Sequence, residues 1–138
     1  MIINLICATG NSGQIGLNGE LPWKNSPIIH LQRQARADLA LFRSLTFGKD
    51  LVVGKRTADK LPELPGRTIH IYRGENPVDY LNDLQRYKIT EIWIAGGAFT
   101  YKQFAPYING MNLINRLDYN GSADAYFPAE DYGFSYNV

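Results

Sequence analysis

Five short apolar runs, each closed by turn residues, set the frame for this chain: "IINLICA" (2–8), "DLVVG" (50–54), "TIHIY" (68–72), "EIWIAGG" (91–97) and "MNLINRLDY" (111–119). Segments with helical spacing stand between most of them, over 27–46, 77–87 and 98–107. Strands that alternate with helices pair side by side through crossovers, so the pattern predicts an α/β fold with a mostly parallel central sheet flanked by helices. At 138 residues the chain reads as a single domain, 1–138, long enough to bury a sizeable core. The longest helix is the best marked, with Ser26 suited to the N-cap, Pro27 to the first helical position and Gly48 to the place just past the end.

Charge and cysteine usage remove several function classes. A net charge of +1 argues against a nucleic-acid or membrane-surface partner, whose basic footprint would show in the sum. Cys7 is the only cysteine, so no internal disulfide or multi-cysteine zinc site can form, and in the first strand it reads as a small buried hydrophobe. No metal site is expected. No apolar stretch approaches the roughly 18 residues of a membrane span, and "MIINLICATG" lacks the basic start of a signal peptide, so the expected compartment is the reducing cytoplasm.

Two glycine-rich places interrupt the regular elements. Residues 10–26, "GNSGQIGLNGELPWKNS", read as a long surface loop that nevertheless carries Ile15, Leu17, Leu21 and Trp23. Such a loop either tucks onto its own domain or folds over a ligand. Gly96-Gly97 falls between a strand and a helix, where it is either a plain tight turn or bare backbone for a ligand phosphate at a helix N-terminus.

Conventional catalytic groups are scarce. His30 and His70 have no evident partner, and no Ser-His-Asp or Cys-His arrangement can be assembled. Between Glu20 and Asp50 the one acidic residue is Asp38, with Phe42 one turn on and Leu39 and Leu45 nearby. Its periodicity fits a surface position at the edge of the apolar stripe somewhat better than a carboxyl in a poorly solvated pocket. The pocket reading would raise its pKa and suit proton exchange with a bound heterocycle.

Six blocks, "GQIGLNGELPW" (13–23), "ADLALFRSLT" (37–46), "LVVGKRT" (51–57), "LPGRT" (64–68), "IAGGAFTYKQF" (94–104) and "DAYFP" (124–128), occur in the order in which dihydrofolate reductases carry similar ones. The chain resembles that family over residues 2–128. The resemblance implies a reductase-like fold with a shortened C-terminal hairpin, NADPH as cofactor and 7,8-dihydrofolate as substrate. It implies that Asp38 binds the pterin edge and assists protonation, with Asn115 supporting it and Leu21 and Trp23 at the hinge of a flap. Ile6, Ala8, Phe42, Leu61 and Leu64 would line the substrate cleft, and Arg67 would take the folate carboxylate. Ala8, Ile15 and Gly16, the turn Gly54, Lys55, Arg56 and Thr57, Arg73, and the segment Ala95, Gly96, Gly97, Ala98, Phe99 and Tyr101 would hold the cofactor. The glycine pair is joined in that family by a cis peptide. Hydride would come from the cofactor, so one carboxylate in an apolar lining suffices.

The pattern departs from the family in three places. About ten extra residues, within 25–36, stand before Asp38; at 3.6 residues per turn they either extend the helix by nearly three turns or fold over the cleft. Phe99 replaces an arginine expected at the cofactor's 2′-phosphate, which leaves Lys55, Arg56 and Arg73 to compensate. The sequence ends at Val138, before the family's usual final hairpin, so an exposed sheet edge is expected in a monomer or covered in a homodimer. Two other functions fit the same residues: a pyrimidine reductase of riboflavin synthesis, and a reductase-like binding or assembly module with impaired catalysis. Asp38, Phe42 and Arg67 favour folate over the first. Asp38, Arg67 and the glycine pair weigh against the second.

Overall fold

The computed structural model describes residues 1–136. Along the chain run β1 (Ile2–Thr9), β2 (Gln14–Gly16), α1 (Ile29–Thr46), β3 (Asp50–Gly54), α2 (Lys55–Lys60), β4 (Thr68–Tyr72), α3 (Pro77–Arg86), β5 (Glu91–Ile94), α4 (Ala98–Phe104), β6 (Asn112–Arg116) and β7 (Ala125–Tyr126), with a 3₁₀ turn over Ala105–Tyr107. Five strands form one sheet in the order β4-β3-β5-β1-β6, every pairing parallel. This is the α/β architecture expected from the alternating runs.

Parallel strands covered on both faces need no polar side, and the burial shows it. Leu51, Val52 and Val53 are buried in succession in β3, as are Ile92, Trp93 and Ile94 in β5. One face of the sheet packs Leu5, Cys7, Val52, Ile92, Ile94 and Ile114 against Leu81 and Leu84 of α3, Tyr101 and Phe104 of α4, and Phe127. On the opposite face Trp23, Leu31 of α1 and Leu117 form a smaller cluster, flanked by Ala8, Ala35 and Tyr119. Of the 18 residues of α1 only Leu31, near its start, and Thr46, at its end, are buried. The helix is therefore pinned at its two ends, with its middle turns standing clear of the sheet.

The start of α1 corrects the expected cap. The helix begins at Ile29 after Ile28, which makes no side-chain cap, while the Ser26 hydroxyl accepts from the Ile28 N–H at 3.3 Å and Pro27 lies before the first turn. The amide of Gln32 reaches back instead, its Nε2 donating to the carbonyls of Trp23 (2.8 Å) and Ser26 (2.9 Å). Those carbonyls belong to a tight turn and have to find donors, and a side-chain amide one turn into the helix supplies them. Gly48 ends the segment as expected, with φ +76° and its N–H on Gly66 O at 2.7 Å. Residues 29–36 are continuous helix, so the extra residues lengthen α1 and do not fold over the cleft.

The glycine-rich loop is also more ordered than its composition indicates. Gln14–Gly16 pairs antiparallel with β7, and the two N–H···O bonds between Leu17 and Glu20 (2.8 and 3.0 Å) close a two-residue turn. Asn18 and Gly19 occupy it with φ +53° and +79°, the backbone an Asn-Gly hairpin turn requires. Ile15 packs on the main core and Trp23 is only 2% exposed, so the base of the loop is tucked in while its tip projects. His70 likewise has the partner its sequence context did not reveal: its Nε2 lies 2.7 Å from Asp50 Oδ1 on the neighbouring strand. The segment up to Tyr136 returns along β6, where the Arg116 guanidinium sits 4.7 Å over the Tyr136 ring and the Tyr136 and Thr9 hydroxyls lie 3.3 Å apart. The sequence expectation about the chain end at Val138 lies outside the described residues.

Because Leu31 is the main apolar anchor at the start of α1, Leu31→Ala is expected to cost about 2–5 kcal/mol in urea-induced unfolding, as deletion of a fully buried leucine does. An exposed position on the same helix, Leu39→Ala, is expected to cost less than about 1 kcal/mol.

Candidate active site

The stand-off of α1 creates a cleft against the carboxyl ends of the strands. Gln34, Ala37, Asp38 and Leu41 follow one another on a single helical face, and they meet Asn115, Arg116 and Leu117 of β6 and its exit across an open pocket of about 310 Å³. Asn115 Nδ2 donates to Asp38 Oδ1 at 3.1 Å. The carboxyl group therefore sits where the sequence could only offer it as an alternative, partly out of water and held from the far wall. Burial pushes its pKa above the ordinary aspartate range, and the Asn115 amide, which favours the ionised form, pulls in the opposite direction.

Neighbouring titratable groups do not compete for the proton. The Cys7 thiol is buried and pushed up to about 12, an inert core residue as the sequence suggested. Tyr101 is buried as well, its hydroxyl donating to Ile6 O at 2.8 Å, and desolvation holds it well above the usual tyrosine value.

A second set of residues gathers at the carboxyl end of β5. From the strand order, β1 and β3 hand the chain on toward the β4 side, whereas β5 hands it toward β6, so the sheet changes winding direction at β5 and opens a crevice there. Ala95, Gly96 and Gly97 occupy that point, and the Gly96–Gly97 peptide is cis. The glycines allow a close approach of two loops. A Cβ on Gly54 would lie 2.8 Å from Thr100 Oγ1, and one on Gly97 would lie 3.0 Å from Thr57 Oγ1, while Gly54 N donates to Gly96 O at 2.8 Å. The β3–α2 turn (Gly54 to Thr57) and the β5–α4 turn (Gly96 to Ala98) thus lie side by side, with the Thr57, Thr100 and Tyr101 side chains close against the glycines and Gly96 buried. Around them Lys55 pairs with Asp59, Arg56 and Arg73 are exposed, and Phe99, 58% exposed, stacks on Tyr72 with ring centroids 6.2 Å apart.

The remaining candidates lie outside the lining of the Asp38 pocket. Ile6 and Ala8 are half-buried in β1, Ala8 against the Trp23, Leu31 and Leu117 cluster, and Phe42, Leu61 and Leu64 are half-buried. Arg67 closes the end of α1: Nε donates to Thr46 Oγ1 (3.2 Å), Nη1 to Pro65 O (2.7 Å) and Nη2 to Arg43 O, with the guanidinium 5.5 Å over the Phe47 ring. One N–H remains on each terminal nitrogen, and Arg67 has no carboxylate partner among the described residues. At the projecting loop, Gly16 bonds Asp124 N, Leu21 is exposed, and Gly19 lies against Lys60 at the end of α2. The loop tip therefore reaches the end of α2.

Sequence reasoning did not pick out Gln34, Ala37 or Leu41 as cleft residues, although their spacing from Asp38 (−4, −1 and +3) places all of them on its helical face. It also passed over Asn18-Gly19, whose dipeptide is a strong hairpin signal on its own.

The sign of the Asp38 shift makes a stability prediction. A carboxyl whose folded pKa is raised contributes stability that is fully present below the unfolded aspartate pKa and is lost as pH rises through the folded value. Asp38→Asn removes that loss, so the variant is expected to gain stability relative to wild type as pH is raised through this window, measured by urea unfolding at a series of pH values. A difference that does not change with pH would contradict the buried carboxyl.

Comparison with known proteins agrees with the geometry. The sequence profile described as dihydrofolate reductase matches residues 2–136. Dihydromethanopterin reductase of Methylorubrum extorquens is 34% identical over 128 residues, covering 91% of this chain and 89% of that protein. Dihydrofolate reductase of Buchnera aphidicola is 30% identical over 139 residues, covering 93% of this chain and 80% of its own. That of Mycobacterium tuberculosis is 30% identical over 116 residues, covering 77% and 66%.

Proposed function

The chain belongs to the dihydrofolate reductase family, and from that membership we propose that it reduces the pterin ring of 7,8-dihydrofolate with NADPH, Asp38 serving as the proton-handling group. The observation that carries this reading is the half-buried Asp38 carboxyl, held by Asn115 in a cleft whose other lining is largely apolar. Such a group is poised to accept hydrogen bonds from an amidine-like ring edge in its ionised form and to pass on a proton in its neutral form.

The cofactor would supply the hydride. The chain's part is to bind, orient and exclude water. The half-buried main chain at Gly54 and Gly97, at the crevice where the sheet changes direction, fits a dinucleotide diphosphate, and the exposed Arg56 and Arg73 fit the additional phosphate of NADPH. Ile6, Ala8, Phe42, Leu61 and Leu64 would add apolar contacts to a ligand that extends beyond the Asp38 pocket, and the two free N–H groups of Arg67 suit one carboxylate, one from each terminal nitrogen. Leu21, exposed, and Trp23, buried, stand at the base of the glycine-rich loop, which would limit access of water to the ring if it closes over a bound ligand. The intact Asp38–Asn115 pair favours catalysis over a role as scaffold alone.

A second substrate is supported by a specific observation. The methanopterin-type relative is 34% identical across 89% of its own length, so dihydromethanopterin is the alternative to dihydrofolate for the same site.

NADPH absorbance followed with each substrate separates the two, and absence of turnover with both would overturn the reading. Asp38→Asn is expected to lower kcat/KM by about 10²-fold or more. Because the neutral acid is the productive form, the rate is expected to fall as pH rises through the Asp38 pKa. Asn115→Ala, which removes the hydrogen bond favouring the carboxylate, is expected to move that fall to higher pH. At the other end of the cleft, Gly97→Val would press its side chain toward Thr57 and is expected to weaken NADPH binding more than tenfold in a folded protein. Unchanged affinity, measured by cofactor fluorescence, would remove the glycine pair from the binding site.

A further inference from the structure

The carboxyl ends of β3 and β4 gather three side chains that the chemistry at Asp38 does not use: Phe99, Arg73 and Arg56. The strand register explains their meeting. Gly54 and Tyr72 are partners across the β3–β4 ladder, so the chain leaves the two strands side by side, with Arg56 following one and Arg73 and Gly74 the other. Phe99, the second residue of α4, comes in from the neighbouring turn and lays its ring beside Tyr72, nearly parallel at 23° with centroids 6.2 Å apart. The ring runs on over the β4–α3 turn, where a Cβ on Gly74 would lie 3.8 Å from Phe99 Cε1.

This ring is held without being buried. Tyr72, its support, is fixed in the core by edge contacts with Tyr80 (5.2 Å) and Phe104 (4.8 Å) and by the bond from its hydroxyl to Glu75 O. Phe99 itself stays 58% exposed. An aromatic side chain so supported offers a preorganised flat surface to a second ring. Charge beside it is unbalanced: Lys55 is neutralised by Asp59, whereas neither Arg56 nor Arg73 has a carboxylate partner among the described residues. A stacking face next to free guanidinium groups suits a planar base joined through a sugar to phosphate. The place is continuous with the glycine turns, since Gly97 stands two residues before Phe99 and Gly54 two before Arg56. A dinucleotide with its diphosphate there and one ring toward Asp38 has its other ring toward β3 and β4, which lie on the side of β5 away from β1 and β6.

We propose that Phe99 is the platform for the adenine ring of the cofactor and a specificity-determining residue of this chain: the base stacks on its open face, so affinity at this end comes from a group that NADPH and NADH share. The inference rests on the nicotinamide-cofactor reading above and deepens it. An arginine at position 99, as the family resemblance implies, would act on the 2′-phosphate. A phenyl ring is indifferent to that phosphate, and discrimination between the two cofactors is left to Arg56 and Arg73.

The test measures binding of NADPH and NADH to the whole chain by isothermal titration calorimetry, in wild type and two variants. Phe99→Leu keeps an apolar contact on Tyr72 and removes the flat face; Phe99→Trp keeps a face. Proton NMR of bound NADPH gives a second reading, because a stacked ring displaces the adenine H2 and H8 resonances upfield. Phe99→Leu is expected to weaken both cofactors alike, by about tenfold, to leave their affinity ratio within about twofold, and to lose the upfield displacement, while Phe99→Trp retains both affinity and displacement. If wild type binds NADPH and Phe99→Leu changes neither its affinity nor the adenine resonances, the platform is overturned and the cofactor site stands. Wild type that binds NADPH and not NADH, or Phe99→Trp that binds as poorly as Phe99→Leu, overturns it as well. Should Phe99→Leu fail to fold, Phe99→Trp decides alone: its larger ring moves the adenine resonances further upfield, and unmoved resonances overturn the platform. If wild type binds neither cofactor, the reading on which the inference rests falls with it.

Discussion

The attachment of α1 to the sheet at its ends alone is the constraint from which the rest of the site follows. An 18-residue helix that packed along its whole length would bury a continuous stripe and leave no cleft. Here Leu31 closes one end against Trp23 and Leu117, and at the other Thr46 receives Arg67 while its own hydroxyl donates to Phe42 O at 2.7 Å. Between those anchors the helix presents Gln34, Ala37, Asp38 and Leu41 to a space bounded by β6. The desolvation of Asp38, its contact with Asn115 and the apolar lining around it are all consequences of that gap.

The two halves of the site answer to different parts of the fold. The acid half depends on a helix and a strand meeting across the cleft through one side-chain hydrogen bond, so it is sensitive to small changes in their separation. The glycine half depends on main chain: Gly54 and Gly97 let two strand-to-helix turns approach closely, and Gly54 N and Gly96 O are bonded directly. A hollow of about 250 Å³ at the opposite end of the sheet, around Lys49, Asp50, Lys88 and Glu91, takes no part in either, and there Lys49 and Glu91 neutralise each other at 2.8 Å.

Much of this architecture was legible because β3 and β5, buried on both faces, are written as apolar runs, and the other three sheet strands lie in similar short runs to within one residue. Boundaries were less readable. The last run extended to 119 while its strand stops at Arg116, because Leu117 leaves the ladder to join the cluster under α1. β2 and β7 are three and two residues long and exist only by pairing across more than a hundred residues of chain, which no local pattern records. The fate of Asp38 could not be decided from periodicity, since its burial comes from a gap that depends on where the helix is pinned. Gln34 escaped notice for the same reason, and its orientation depends on a backbone N–H some eighty residues away.

Strand β6 has a consequence of its own. Three successive residues look in three directions: Ile114 into the main core, Asn115 across to Asp38, and Arg116 onto Tyr136 of the C-terminal segment. A rigid pleated ribbon cannot shift one of these without shifting its neighbours. The strand therefore ties the C-terminal segment and the acid's hydrogen-bond partner to one element: the packing of Tyr136 on Arg116 helps hold the residue next to Asn115 in place.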